Sequence, residues 1–143
     1  MKVTVIIPTY NEIENIDALM RAVRESMPDA DLLVVDDNSP DGTGKLAEET
    51  ATDLGRAKVM HRPGKEGLGT AYRDAFRHVL SVDSDVIVTM DADFSHDPKT
   101  IPSFLKSTNE SKRTYSLPSS SHWANIASAI ALAVSSVTSP SAN

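Results

Sequence analysis

The chain has 143 residues, is 40% hydrophobic and 5% aromatic, and carries a formal net charge of −6. That length suits one domain with an ordinary core, and the acidic balance argues against nucleic acid as the main partner. There is no cysteine, which excludes disulfides and thiolate zinc sites. The amino-terminal stretch is not a secretory signal: Lys2 precedes only a brief apolar run, Val3 to Pro8, and then polar Thr9-Tyr10-Asn11-Glu12. No run approaches the ~20 apolar residues of a membrane span, so a cytoplasmic location is the expectation.

Val3–Pro8 reads as the first strand. Asn11 stands where it would cap a helix, with Glu14 as capping-box partner, and Ile16, Leu19, Met20 and Val23 then recur at helical spacing. Leu32–Val35 is a second apolar strand ending in Asp36-Asp37, and the turn formers Asn38-Ser39-Pro40-Asp41-Gly42-Thr43 follow it. A helix is expected from about Thr43 to Leu54, stopped near Gly55. Ala57–Met60 is a weaker third strand, and Arg62 to Gly69 forms a glycine-bearing loop. Ala71, Ala75, Phe76 and Val79 mark the next helix. Asp85–Met90 is the fourth strand; its run Val86-Ile87-Val88-Thr89-Met90 lacks two-residue alternation, as does a strand covered on both faces. Pro98–Lys106 reads as a helix with proline near its first position.

This alternation predicts an α/β fold, a mostly parallel sheet with helices on both faces. The loops after strands one, two and four then share one edge, where open α/β sheets bind ligands. Tyr10 and Glu12, Asp36 and Asp37, and Asp91 and Asp93 converge there. Two hard oxygen donors at Asp91 and Asp93 suit Mg2+ or Mn2+, whose remaining ligands are commonly waters and phosphates. The alternative is two solvated acids in a turn. In the metal reading Asp93 binds the cation directly, while Asp91 reaches it through water or holds a ribose hydroxyl. Asp36 and Asp37 point to opposite sides of their strand, so one of them is enough to accept from a nucleobase N–H. Tyr10 offers a ring for stacking on a base, and Glu12 an acceptor for ribose or base.

The loop Arg62-Pro63-Gly64-Lys65-Glu66-Gly67-Leu68-Gly69 lacks the Gly-Lys-Ser/Thr ending of a Walker A loop, and no Gly-X-Gly-X-X-Gly follows the first strand. Lys65 or Arg62 are candidates for a phosphate or base contact. Ser95 adds a hydroxyl near the acids; His96, three residues beyond Asp93, reads as a helix-entry residue, the alternative being an Asp-X-X-His arrangement that completes a metal site; and His61, His78 and His122 carry no pattern. Neither Ser39 nor Ser95 sits in a Gly-X-Ser-X-Gly elbow, which speaks against a hydrolase.

Four segments, in order and at matching spacing, resemble family 2 glycosyltransferases of the GT-A fold. They are Ile6 to Glu12, Val34 to Thr43 with its Ser39-Pro40-Asp41-Gly42-Thr43, Arg62 to Tyr72, and Met90 to Pro98. The second and third are most similar to the polyprenol-phosphate group, typified by dolichyl-phosphate mannosyltransferases (polyprenol monophosphomannose synthases). The resemblance covers residues 1–106, about three quarters of the chain. It implies a Rossmann-like GT-A sheet, a GDP-mannose donor, a polyprenyl or dolichyl phosphate acceptor in a membrane, and inverting transfer dependent on Mg2+ or Mn2+. It places donor contacts on Pro8, Tyr10, Glu12, Val35, Asp37, Asp91, Ala92 and Asp93, to which Lys65 of the glycine-bearing loop is added. It makes Asp91 and Asp93 the catalytic pair, with the cation on Asp93 and with Asp91 and Ser95 as further contacts. A lipid acceptor implies work at the cytoplasmic membrane face. A UDP-sugar enzyme of the same family and a non-catalytic nucleotide-binding remnant are the alternatives.

Residues 107–143 differ in kind, with 11 serines among them. The expected domain therefore ends at residue 106, and the fold is expected to break off after the Asp-X-Asp strand, as in a fragment or a chain with a replaced carboxyl-terminal half. The serine-rich stretch is expected to be disordered or marginally helical, its one apolar run being Ala124–Val134.

Overall fold

The computed structural model describes residues 1–82, 84–107 and 114–116. Five strands, β1 (Val3–Thr9), β2 (Asp31–Asp36), β3 (Ala57–His61), β4 (Val86–Thr89) and β5 (Thr114–Ser116), form one sheet in the order β3-β2-β1-β4-β5. Every neighbouring pair is parallel. The register sets Pro8 beside Val35 and Thr9 beside Asp36, Asp36 beside His61 and Ile6 beside Thr89. The carboxyl ends of β1, β2 and β3 are therefore level, and their outgoing loops share one edge with the loop after β4.

The helices divide between two faces because the strands alternate. Val3, Val5 and Ile7 of β1, with Leu32, Val34 and Val88, pack under α1 (Ile16–Ser26), α2 (Thr43–Leu54) and the first residue of α4 (Ile101–Ser107). Ile6, Leu33, Val35 and Ile87 point the other way and are covered by Ala71, Tyr72, Ala75, Phe76 and Val79 of α3 (Leu68–Ser81). Tyr72 and Phe76 stack with ring centroids 6.1 Å apart. Burying each such large side chain contributes about 1.5–3 kcal/mol. Doubly covered strands need apolar residues on both sides, which is why β1 is buried along its whole length. At the amino edge the Arg24 guanidinium ties the turns together, donating to the carbonyls of Pro28 at 2.8 Å, Ala30 at 2.7 Å and Gly55 at 2.7 Å. Those carbonyls have left regular structure, and one half-buried cation satisfies them.

The structure differs from expectation at three points. Asn11 does not cap a helix: it is left-handed, with φ +55, and α1 starts four residues beyond the expected region, after Asn15. The last helix is preceded by a 3-10 turn, Pro98–Thr100, capped by Asp97, whose carboxylate accepts from the Lys99 amide at 3.0 Å. The sheet also does not end at β4. Thr114–Ser116 adds a parallel strand against Ile87–Thr89, so sheet structure continues past residue 106. The rest of the serine-rich stretch, with Ala124–Val134 and His122, lies outside the described residues. No helix among those described is long and apolar enough to cross a membrane.

Candidate functional site

A pocket of about 120 Å³ opens at the carboxyl edge of the sheet, lined by Pro8, Thr9, Tyr10, Asp37, Lys65, Gly67, Leu68 and Ala71. It is built from the end of β1, the turn after β2 and the entry to α3. Gly67, at φ +94, turns the chain into that helix. Four residues singled out from sequence, Pro8, Tyr10, Asp37 and Lys65, meet here. The Lys65 ammonium lies 4.4 Å from the Tyr10 ring centroid, a cation–π contact that holds an exposed lysine over an aromatic face. Gly67, Leu68 and Ala71 were not singled out, because only the packing of α3 brings them to the pocket.

Asp37 is buried, and Arg62 Nη1 donates to its Oδ1 at 2.5 Å. Arg62 was a candidate for touching phosphate or base, but its side chain is only 3% exposed and is spent within the protein. Nε donates to Asp74 at 3.2 Å, and Nη2 to Glu66 at 3.2 Å and to the Thr70 hydroxyl at 2.8 Å. Burial works against the charge, yet Asp37 and Asp74 outweigh it and raise the guanidinium pKa. Arg62 therefore orients Asp37 at the pocket wall. The neighbouring acid turns away from it: Asp36 accepts from the Ser39 hydroxyl at 2.6 Å and the Ser39 amide at 3.2 Å. The two acids thus have separate partners, as their opposite strand faces require.

Glu12 is half-buried, and its carboxylate accepts from Asn15 Nδ2 at 2.9 Å. Val35 and Ala92 are 0% and 4% exposed in the two cores, which leaves only their main chains for a ligand. Asp91 and Asp93 follow β4 at the same edge, Asp91 half-buried and Asp93 exposed. The Ser95 amide donates to Asp93 Oδ1 at 2.9 Å. Hydrogen bonds from the Ser95 hydroxyl and amide hold the Asp93 carboxyl below the usual carboxylate range, so it is ionised at neutral pH. Burial and then the nearby Asp91 charge push the Tyr72 phenol well above its ordinary value. His96 Nε2 is buried without a hydrogen-bond partner.

Among the described residues no three His, Cys, Asp or Glu side chains cluster as a metal cage. An ionised, exposed aspartate one residue from a second acid fits a hard cation that keeps waters and takes substrate oxygens. It does not fit a closed tetrahedral zinc site. A larger cavity, about 320 Å³, lies at the opposite edge of the sheet between Lys2, Asp31, Arg56 and His78. Lys2 and Arg56 there are engaged with Asp31, and the cavity is remote from the strand ends that carry the paired acids.

The family described as glycosyl transferase family 2 matches residues 4–122. The chain is 48% identical over 106 residues to an undecaprenyl-phosphate mannosyltransferase of Micrococcus luteus, covering 74% of this chain and 44% of that protein. It is 50% identical over 102 residues to a polyprenol monophosphomannose synthase of Mycolicibacterium smegmatis, covering 71% and 38%. Among solved structures it is similar to mannosyltransferase PcManGT from Pyrobaculum calidifontis in complex with GDP-Man and Mn2+. That match has a TM-score of 0.65 at 27% identity and covers 76% of this chain and 32% of the other. The chain spans less than half the length of the curated relatives it matches.

Proposed function

The chain belongs to glycosyl transferase family 2 and has its GT-A fold, and on that premise we propose that it forms the donor-binding part of a mannosyltransferase acting on a polyprenyl phosphate. The donor is GDP-mannose and the acceptor a polyprenyl or dolichyl phosphate presented at the cytoplasmic face of a membrane. The observation that carries this reading is the placement of Pro8, Tyr10, Asp37 and Lys65 on one pocket, at the same sheet edge as Asp91 and Asp93. The names of the relatives and the GDP-Man and Mn2+ of the solved neighbour support it.

In this reading Tyr10 stacks on the guanine and Asp37, fixed by Arg62, accepts from its N–H groups. Asp93 would hold Mg2+ or Mn2+, with Asp91 and Ser95 beside it, and a cation there would supply positive charge to offset that of the departing diphosphate. Glu12 accepts from the nucleoside, and Lys65, already over Tyr10, stays beside the base. The chemical step asks little of a general base, because a phosphate monoester has a second pKa of about 6 and is ionised near neutral pH. Its oxygen attacks the anomeric carbon as GDP leaves, inverting that centre in one displacement. The protein's part is mainly to orient donor and acceptor.

Thermal unfolding with GDP or UDP, each with and without Mn2+, tests the donor. GDP with Mn2+ is expected to raise the unfolding midpoint and UDP to leave it unchanged. Equal protection by UDP would overturn the assignment of GDP. Incubating the protein with radiolabelled GDP-mannose and vesicles containing polyprenyl phosphate tests the transfer. Label appearing in the lipid fraction is the expected result, and nucleotide binding without transfer would point instead to a binding remnant.

A further inference from the structure

Three consecutive backbone N–H groups follow Tyr10, and each is held by a side chain from the turn after β2 or from the first residue of α2. The Asn11 amide donates to Ser39 Oγ at 3.0 Å, the Glu12 amide to Thr43 Oγ1 at 2.9 Å, and the Ile13 amide to Asp41 Oδ2 at 3.2 Å. Successive amides aimed at one side form a concavity that favours negative charge. Here the left-handed backbone of Asn11 begins the concavity, and two hydroxyls and a carboxylate fill it.

Each acceptor is itself fixed. Ser39 Oγ donates to the buried Asp36 at 2.6 Å. Thr43 Oγ1 donates to Asp41 Oδ1, which also accepts from the Thr43 amide at 2.9 Å. Thr43 is fully buried. Burial pushes the Asp41 carboxyl up, but the Thr43 hydroxyl and the amides of Thr43 and Ile13 outweigh it and keep the group ionised. Gly42 adopts φ +92, and a methyl there would already lie 3.5 Å from Ile13 Cδ1. The Glu12 carbonyl passes the constraint onward, accepting from the Asn15 and Ile16 amides at 3.0 and 2.9 Å at the head of α1.

We infer that Ser39, Asp41 and Thr43 are positioning residues: they clamp the Asn11–Ile13 backbone and so preset Tyr10 and Glu12 for the donor nucleotide. The inference rests on the donor reading above. The three residues do not touch the nucleotide. They spare the loop the ordering that binding would otherwise impose, which acts on affinity. Such an effect appears in KM rather than in kcat, because in the donor reading Tyr10 and Glu12 contact the nucleoside and not the anomeric carbon.

The test separates the hydroxyl from the rest of Thr43 with Thr43→Val and Thr43→Ser. Amide hydrogen exchange by NMR is measured without ligand, and GDP binding with Mn2+ by calorimetry, using UDP as control. In Thr43→Val the Glu12 amide is expected to exchange at least tenfold faster than in wild type while β1 and β2 amides do not change. GDP affinity should fall about tenfold, the scale of one lost hydrogen bond. Thr43→Ser, which keeps the hydroxyl, should restore both even where it lowers the unfolding midpoint. Unchanged exchange at Glu12, unchanged GDP affinity, or affinity that follows the midpoint rather than the hydroxyl would overturn the clamp. Should Thr43→Val not fold, Ser39→Ala makes the same test at the Asn11 amide. A wild-type chain that binds neither nucleotide would count against the donor reading, and the exchange pattern alone would then decide the clamp.

Discussion

Arg62→Met is the most searching substitution at the pocket wall. The Arg62 and Asp37 side chains are 3% and 9% exposed, so removing the guanidinium leaves a buried carboxylate without its cation. Breaking a buried pair from one side costs about 3–5 kcal/mol. The other two acids add little, because Glu66 is 59% exposed and Asp74 32%, and solvent holds such contacts to about 0–1 kcal/mol. The expected loss is therefore ~3–4 kcal/mol, set almost wholly by Asp37, out of a total stability of about 5–15 kcal/mol. Asp37→Asn should cost less, ~1–2 kcal/mol, because Arg62 keeps Asp74 and Glu66. The double variant Arg62→Met/Asp37→Leu should recover much of the loss, since neither charge is then stranded. Urea unfolding followed by circular dichroism reads all three through the midpoint at constant slope. A loss below ~1 kcal/mol in Arg62→Met, or a double variant no more stable than Arg62→Met alone, would refute the reasoning.

Three further outcomes are expected. Gly44→Ala sets a methyl 2.6 Å from Asp36 Oδ2 and 3.0 Å from its Cγ, so overpacking should cost about 1–3 kcal/mol; Gly64→Ala meets nothing within 4 Å and should be neutral or gain up to about 1 kcal/mol, and equal effects in thermal unfolding would be inconsistent with this packing. Asp93→Ala should leave the metal-free unfolding midpoint in place, because the side chain is exposed, while removing the Mn2+-dependent increment in GDP affinity by calorimetry; an increment that persists would take the cation away from Asp93. Asp17 is held below its ordinary value chiefly by its hydrogen bond to Arg21 and then by Thr50, and Asp41 by the Thr43 contacts despite burial. Folded values below unfolded ones mean that this stability is present above about pH 3.9 and is lost as pH falls through the folded values. The unfolding midpoint should accordingly be flat from about pH 7 to 5 and drop below about 4, less steeply in Asp41→Asn. A drop between neutrality and pH 5 would contradict it.

The elements with a strong local signature were legible. The β-branched runs at Val3, Leu32 and Val86 became doubly covered strands because nothing but a parallel sheet buries both their faces. Tyr10, Asp37 and Lys65 reached one pocket because parallel strands return their loops to one edge. What escaped reading depends on distant partners. Arg62 looked like a free loop cation, yet the acids that close on it lie 25 and 12 residues away. Ser39, Asp41 and Thr43 read as turn formers, while the amides they hold lie 28 to 31 residues away. Asn11 read as a cap because its type favours both a cap and the left-handed region, and only its pairing with Ser39 selects the second. Thr114–Ser116 is short and polar, and periodicity says nothing about three residues joining an edge.

The position of β1 at the centre of the sheet has a consequence for biosynthesis. Its partner on one side, β2, follows within about 30 residues, while its partner on the other, β4, lies about 80 residues downstream. At ribosomal speeds of about 5–20 residues per second, β1 emerges several seconds before β4 exists to pair with it. During that interval a strand that is buried along its whole length in the folded sheet presents an open edge of N–H and C=O groups, an invitation to foreign strands. The nascent chain should thus be most vulnerable to aggregation, and most dependent on chaperones, between the release of β3 and the arrival of β4.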